Sequence, residues 1–495
     1  MKTEIIEFSD EVIQSIFGAE AAEDEDPKRL KEYYFKSDIY RSITADLPLR
    51  IIVGHKGIGK SALITIAIQE DYLHQKVPIL IQPNDISALG TGSSDFLKLI
   101  NEWKVGLNEI IARKVLRSLG LNEDQGILSS LKQYGGKLVS FIIDAAKPIL
   151  EKGVNIDASH KALFKHLTES QGINVYLDDL DRGWQGRRED ITRISALLNA
   201  VRDINNENKS VRFKVALRSD VYFLVRTSDE STDKTEGAVV WYSWTNHEIL
   251  ALLVKRIETY FGRTAGEAVL IAKRQQQLAN YLNVVMEPRF TGRGRWSDVP
   301  IHKILMSLIR KRPRDLVKLC TLAAKHAQKR KSRIIQTIDF QSIFEEYSQG
   351  RVQDTINEYR TELPDIERLI MGMKPIKRHK STANEYVYST DALVKKLANI
   401  VEQGKFTFPD KQIRSNRDLA HFLYKINFLT ARKELPNGEI LRKYFEENRY
   451  ITGRFADFGF GWEVHPAYRW ALQPDTLGSI FDDLELTSDE ASALN

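Results

Sequence analysis

An α/β fold built around a parallel sheet is predicted for this chain, on three observations. Residues 47–64 read LPLRIIVGHKGIGKSALI, an apolar strand, a glycine-rich loop and the start of an apolar helix. Residues 173–184 read INVYLDDLDRGW, a second short apolar strand that ends in carboxylates. A third strand, in FKVALRSDVYFLV, ends in the polar tip Arg218-Ser219-Asp220. Continuous apolar strands separated by long helical stretches predict parallel pairing, with functional groups gathered at the strands' C-terminal ends.

The loop has the pattern G-x-x-x-x-G-K-[ST] in strand–loop–helix context: Gly54, His55, Lys56, Gly57, Ile58, Gly59, Lys60 and Ser61, with Ala62 next in the helix. Its glycines let the backbone curl so that N–H groups can cradle phosphate oxygens. The helix N-terminus behind it adds a partial positive charge. Lys60 is expected to reach the β- and γ-phosphates of ATP, and Ser61 to ligate Mg²⁺. The competing explanation is a chance match on a glycine-rich turn, which the flanking strand and helix oppose.

Asp178 and Asp179 close the second strand. Asp178 is expected to hold the metal with Ser61, and Asp179 to orient or deprotonate the attacking water. Taken alone, such a pair reads first as a solvated turn or a helix cap; the phosphate loop shifts the balance toward metal binding. Arg218 is a candidate γ-phosphate sensor, with a salt bridge to a neighbouring carboxylate as the alternative. Arg314 follows Pro313, which suits the first turn of a helix. From there its guanidinium could turn back toward phosphate, the alternative being a solvated arginine.

At 495 residues the chain is long enough for two to four domains. Its net charge of +5 is slight for that length and does not by itself imply nucleic acid. A single cysteine, Cys320, excludes an internal disulfide framework and suits a reducing cytoplasm; in its apolar helical setting it reads as a core residue. The ten histidines show no zinc-binding spacing. The best membrane-span candidate, 138–150, is too short and contains Asp144 and Lys147, so no membrane association is expected.

Composition and periodicity divide the chain as follows. Residues 1–46 form a polar helical segment, whose Tyr33, Tyr34 and Phe35 are expected to pack on the core. The nucleotide core spans 47–235, with a helical insertion at about 94–166 before the acidic strand. A polar loop at 227–237 ends the core, and a helical lid covers 236–350. Residues 351–385 read as a linker, and 386–475 as a small α+β unit whose helices followed by a hairpin suggest a winged helix. The tail, 476–495, is acidic and expected to be disordered. Basic runs occur at Lys325, Lys329, Arg330, Lys331 and Arg333, and at Lys374, Lys377, Arg378, His379 and Lys380. The first is explained as well by cations at a helix C-terminus as by DNA contact.

Taken together, the phosphate loop, LDDLDR (177–182), LRSD (217–220) and RPRDL (312–316) resemble the KAP- and STAND-like ATPases, relatives of AAA+ and origin-initiator ATPases. The opening FGAEAAEDE…YYF and the closing HPAYRWAL resemble a bacterial subgroup of P-loop ATPases often found in anti-phage or signalling loci. The resemblance implies an ASCE/AAA+-like core with an α-helical lid and a winged-helix-like domain. It implies metal binding by Asp178, water activation by Asp179, and sensor roles for Arg218 and Arg314. It also implies ATP-driven homo-oligomer assembly or a conformational switch acting on a separate effector protein. Asp179 stands where AAA+ enzymes usually carry glutamate, so slow turnover is expected. A trans-acting arginine could be Arg182, Arg187, Arg188, Arg293 or Arg295.

No N-K-x-D signature for guanine and no L-S-G-G-Q-like run is present, so ATP and a non-ABC arrangement are expected. The leading reading is an ATP-dependent switch. A DNA-binding initiator- or loader-like ATPase is the alternative, resting on the winged helix and the basic runs. It is not favoured, because RDLAHFLYKI offers few side chains for reading base edges. A non-hydrolysing scaffold with structural ATP is the third reading.

Overall fold

The structure is a computed structural model. It describes residues 6–74, 76–118, 138, 140, 142–144, 172–228, 230–375, 385–408, 415–436, 438–448, 459–472 and 487. The chain separates into two compact units: Met1–Ser37 with Gly57–Gly59 and Ser243–Asn495, and Asp38–Lys56 with Lys60–Tyr242.

The first unit begins with two helices. Helix α1 (Asp10–Phe17) starts at Ser9, whose hydroxyl accepts the Val12 N–H, and α2 (Pro27–Tyr33) starts at Asp26 with proline in its first turn. Tyr33, Tyr34 and Phe35 are buried, as core packing requires.

The second unit follows: α3 (Asp38–Thr44), β1 (Leu49–Val53), α4 (Lys60–Leu73), β2 (Val77–Ile81), α5 (Phe96–Ser118), β3 (Ile173–Leu177), α6 (Arg188–Glu207), β4 (Val211–Leu217), α7 (Ser219–Ser228) and β5 (Val239–Trp241). Its strands form one parallel sheet in the order β2-β3-β4-β1-β5. Strand β4 thus lies between the phosphate-loop strand β1 and the acidic strand β3. This is the parallel-sheet α/β core that the sequence predicts. All five residues of β3 are buried, the mark of a central parallel strand covered on both faces. Helices α5 and α6 cover the sheet with Leu99, Trp103, Leu107 and Ile111 against Leu197, Leu198, Val201 and Ile204. Each such side chain, fully buried, contributes about 1.5–3 kcal/mol.

Helix α5 accounts for the start of the expected insertion; most of 119–171 lies outside the described residues. Strand β5 is absent from the sequence reading. It comprises only three half-buried residues, Val239, Val240 and Trp241, after a polar 3-10 segment at Glu230–Ala238, and tertiary pairing with β1 decides its state.

The rest of the first unit is mainly helical. It contains α8 (Asn246–Tyr260), two short helices at Glu267–Ile271 and Gln275–Ala279, the hairpin β6 (Arg289–Thr291) and β7 (Ser297–Pro300), then α9 (Ile301–Leu308), α10 (Pro313–Lys329) and α11 (Thr337–Tyr359). The hairpin interrupts what reads in sequence as continuous helix. Its Phe290 and Trp296 rings meet edge-on at 6.0 Å, and both are buried. Helix α11 runs nine residues into the segment expected to be a linker, and α12 (Ile366–Gly372) follows within it.

The α+β part comprises β8 (Val387–Tyr388), α13 (Thr390–Glu402), α14 (Asn416–Lys425), β9 (Leu429–Glu434), β10 (Ile440–Lys443), β11 (Gly461–Val464) and a final turn of helix, Arg469–Leu472. Its antiparallel sheet has the order β10-β9-β11-β8. Of the acidic tail only Thr487 is described. It is not loose: it bridges to Ile440 and its N–H donates to Ser307 Oγ at 3.1 Å.

Candidate functional site

In the second unit, β1 delivers the chain to Gly54, and Lys60 and Ser61 open α4. The Lys60 ammonium lies within the curl of the loop, donating to the carbonyls of Gly54 at 2.7 Å and His55 at 3.1 Å. The Ser61 hydroxyl hydrogen-bonds the Asp178 carboxylate. Burial pushes the Asp178 carboxyl up from its ordinary value, opposed by the Ser61 bond and the Lys60 charge. A half-desolvated carboxylate beside a hydroxyl is a donor set suited to a hard divalent cation. No group of three or more metal-ligating side chains occurs among the described residues. A cation here would therefore take its remaining oxygens from phosphate and water, as Mg²⁺ does at nucleotide sites.

Two buried hydrogen bonds lock the elements that carry these groups. Asp71, near the end of α4, accepts from Asn174 Nδ2 at 2.8 Å and from the Tyr176 hydroxyl at 2.7 Å, both on β3. Ser61 and Asp178 thus sit on a helix and a strand that are fixed to each other elsewhere along their lengths.

The two carboxylates after Asp178, Asp179 and Asp181, differ in their surroundings. Asp179 adopts a left-handed backbone conformation, φ 58°. Its side chain, 44% exposed, pairs with Arg182 at 2.7 Å. Asp181 is only 14% exposed and lies 3.5 Å from Arg218. Burial pushes its carboxyl up, while the charges of Arg218 and Lys60 lower it. Sequence reasoning passed over Asp181. The available signal was its place in the acidic run Asp178-Asp179-Leu180-Asp181. Arg218, at the tip of β4, forms the salt bridge that the alternative reading named: it grips Asp220 through Nε at 3.0 Å and Nη2 at 2.7 Å. It faces Asp181 at the same time.

In the first unit, the loop tip is held by two contacts. Trp244 Nε1 donates to the Ile58 carbonyl at 2.8 Å, and Arg314 N donates to the Gly57 carbonyl at 3.4 Å. Gly57 has φ 79°, and a Cβ there would stand 3.1 Å from both Cβ and Cδ of Arg314. Arg314 is therefore folded over the loop tip from the first turn of α10, and its Nε donates to the Glu20 carbonyl at 3.1 Å. Nothing in the sequence pattern pointed to Trp244, whose role depends on a contact remote along the chain.

The chain is similar to known proteins as follows. A family described as the FunZ-associated C-terminal helical domain matches residues 247–356. Across most of its length the chain is similar to the putative transposon gamma-delta 80.3 kDa protein of Escherichia coli (strain K12), at 21% identity over 97% of this chain and 71% of that protein. Among solved structures it is similar to the Aeropyrum pernix ORC2 protein in its ADPNP-ADP complexes, at 11% identity over 92% of this chain and 93% of that one, TM-score 0.38. It is similar also to the Aeropyrum pernix ORC1 protein in complex with DNA, at 12% identity over 92% and 96%, TM-score 0.36.

Other candidate residues are placed as follows. Arg182, Arg187, Arg188 and Arg293 are exposed. Arg330, in the first basic run, clamps the buried Asp339 at 2.7 and 2.8 Å, so its charge serves the fold. In the second run, Lys377, Arg378, His379 and Lys380 lie outside the described residues. Helix α14 buries Leu419, Ala420, Phe422, Leu423, Tyr424 and Lys425, and Lys425 is paired with Glu362. Cys320 is buried, and burial pushes its thiol up to about 12. Among the described residues no helix is long and apolar enough to cross a membrane.

Proposed function

We propose that this chain binds MgATP and hydrolyses it slowly as a molecular switch that assembles with itself or acts on a separate effector protein. The observation that carries the reading is the Ser61–Asp178 hydrogen bond beside the Lys60 ammonium. In the proposal, Gly54 to Ala62 cradle the phosphates, Lys60 neutralises the β- and γ-phosphate charge, and Ser61 and Asp178 hold the metal. Mg²⁺ supplies charge stabilisation to the transferring phosphoryl group.

Asp181 is the better-placed carboxylate for orienting water, because Asp179 is committed to Arg182 in an exposed pair. Arg218 would sense the γ-phosphate from the Asp181 side, and Arg314 keeps the sensor role that the resemblance implies. An arginine released from a carboxylate by a triphosphate is a source of switching, since its fork binds phosphate oxygens in two-point fashion. The setting that the sequence resemblance implies is bacterial defence or signalling. The burial of α14 and the internal pairing of Arg330 and Lys425 weigh against the DNA-binding alternative.

The test is mass measurement of the purified protein with MgATP, with a slowly hydrolysed analogue and with ADP, alongside Lys60→Ala. The proposal expects a nucleotide-dependent change in mass for the wild type and none for the variant. A variant that binds ATP and assembles as the wild type does sinks it.

A further inference from the structure

The phosphate loop and the Arg218 tip are joined by a tether that the proposed function does not use. Strands β1 and β4 pair in register up to Val53 opposite Leu217. Gly54 N then donates to the Leu217 carbonyl at 3.2 Å. Beyond that point the two chains diverge, one into the loop and the other into α7, and backbone pairing ends. There a side-chain contact takes over: His55 Nδ1 lies 3.0 Å from Ser219 Oγ. Both residues are buried, so water does not compete for the bond. Arg218 lies between the two fixed points, Leu217 and Ser219. Its guanidinium holds Asp220 and faces Asp181.

We infer that His55, acting through Ser219, is a positioning residue that holds the Arg218 tip in register with the phosphate loop. This rests on the ATP reading above. A polar ring at the second position of the loop extends the β1–β4 ladder by one side-chain rung. A displacement of the loop on seating a triphosphate is carried to Ser219, and with it Arg218. Without the tether the tip still carries its arginine, but the arginine no longer follows the loop. The contact works with either ring tautomer, because the serine hydroxyl can donate or accept.

The experiment compares ATP and ADP affinity, by displacement of a fluorescent nucleotide, for wild type, Ser219→Ala, His55→Leu, His55→Asn, Arg218→Ala and the Ser219→Ala/Arg218→Ala pair. Ser219→Ala and His55→Leu are expected to lower the preference for ATP over ADP about tenfold, the factor one ordinary hydrogen bond corresponds to. The double variant is expected to match Arg218→Ala alone, because both changes break one pathway. His55→Asn, whose amide reaches the place of Nδ1, is expected to recover the preference lost in His55→Leu. Unchanged preference in Ser219→Ala, or additive losses in the double variant, overturns the inference. Hydrogen exchange on the nucleotide-free protein separates this from the ATP reading. Ser219→Ala should accelerate exchange in residues 54–60 as well as around its own position. Acceleration confined to 217–221 overturns the tether even if ATP binds, and a wild type that binds no ATP overturns the parent reading whatever the exchange shows.

Discussion

At residue scale, the two carboxylates after Asp178 give the sharpest contrast. Asp179 is spent on an exposed ion pair with Arg182, of a kind that contributes at most about 1 kcal/mol. Asp181 is sheltered, near Arg218 and within the influence of Lys60. Asp181→Asn is therefore expected to lower the rate of phosphate release about 10²-fold or more, the usual weight of a positioned acid–base group. Asp179→Asn is expected to lower it less than about tenfold. Single-turnover phosphate release measures both, and a larger loss in Asp179→Asn would return the role to that residue. A second expectation concerns Gly57. Its positive φ strains any side chain, and a methyl group there would press on the Arg314 side chain at 3.1 Å. Gly57→Ala should cost about 1 kcal/mol or more of stability in urea titration and weaken nucleotide binding with it.

At the scale of elements, α4 and β3 decide whether Ser61 and Asp178 can share one cation. Asp71 pins the two together through Asn174 and Tyr176. Tyr176→Phe removes one buried hydrogen bond while keeping the ring, and should cost about 1 kcal/mol. The same change should weaken MgATP binding more than metal-free ATP binding, because only the former needs the two elements in register. Equal effects on both would show that the pin serves stability alone. The loop, the acidic strand, the β4 tip and the Pro313 helix start were legible in the sequence, because glycine spacing, apolar runs ending in charge and proline placement are local signals. Strand β5 and the β6–β7 hairpin were not. Their strands are three or four residues long and owe their state to partners distant in sequence. The exposed pairing of Asp179 with Arg182, the burial of Asp181 beside Arg218, and the Trp244 and Ser219 contacts were hidden for the same reason. Each is a side-chain choice made only once the sheet order is fixed.

At the scale of the whole molecule, each unit holds a buried charge treated in the opposite way, Glu463 paired and Lys214 unpaired among the described residues, and pH should separate them. The first unit pairs its buried ions. Arg310 and Arg351 grip Asp315 at 2.7 and 2.6 Å, and Arg442 holds Glu463 at 2.9 Å. The neighbouring arginines hold the Glu463 carboxyl down to about 2 against the cost of burial. Its stabilising effect is thus present above the ordinary 4.5 and is lost as pH falls toward 2. The second unit buries Lys214 on β4 over the Tyr176 ring, and its Nζ makes no hydrogen bond among the described residues. Burial lowers this lysine to about 8 from an ordinary 10.5, partly offset by Asp71. Below about 8 both folded and unfolded chains carry the proton, and the folded one suffers for it. Between about 8 and 10.5 only the unfolded chain keeps it, so stability rises with pH across that window, by roughly 3 kcal/mol in all. Lys214→Met keeps the apolar stem and removes the charge. It should raise the second unit's unfolding midpoint at pH 7 and flatten its rise between pH 8 and 10, leaving the acid response of the first unit in place. Calorimetry across pH 3 to 10, with Trp fluorescence to follow the units, checks this. If the variant is no more stable than wild type at pH 7, Lys214 has found water or a counter-charge, and the sheet is less dry around β4 than its burial implies.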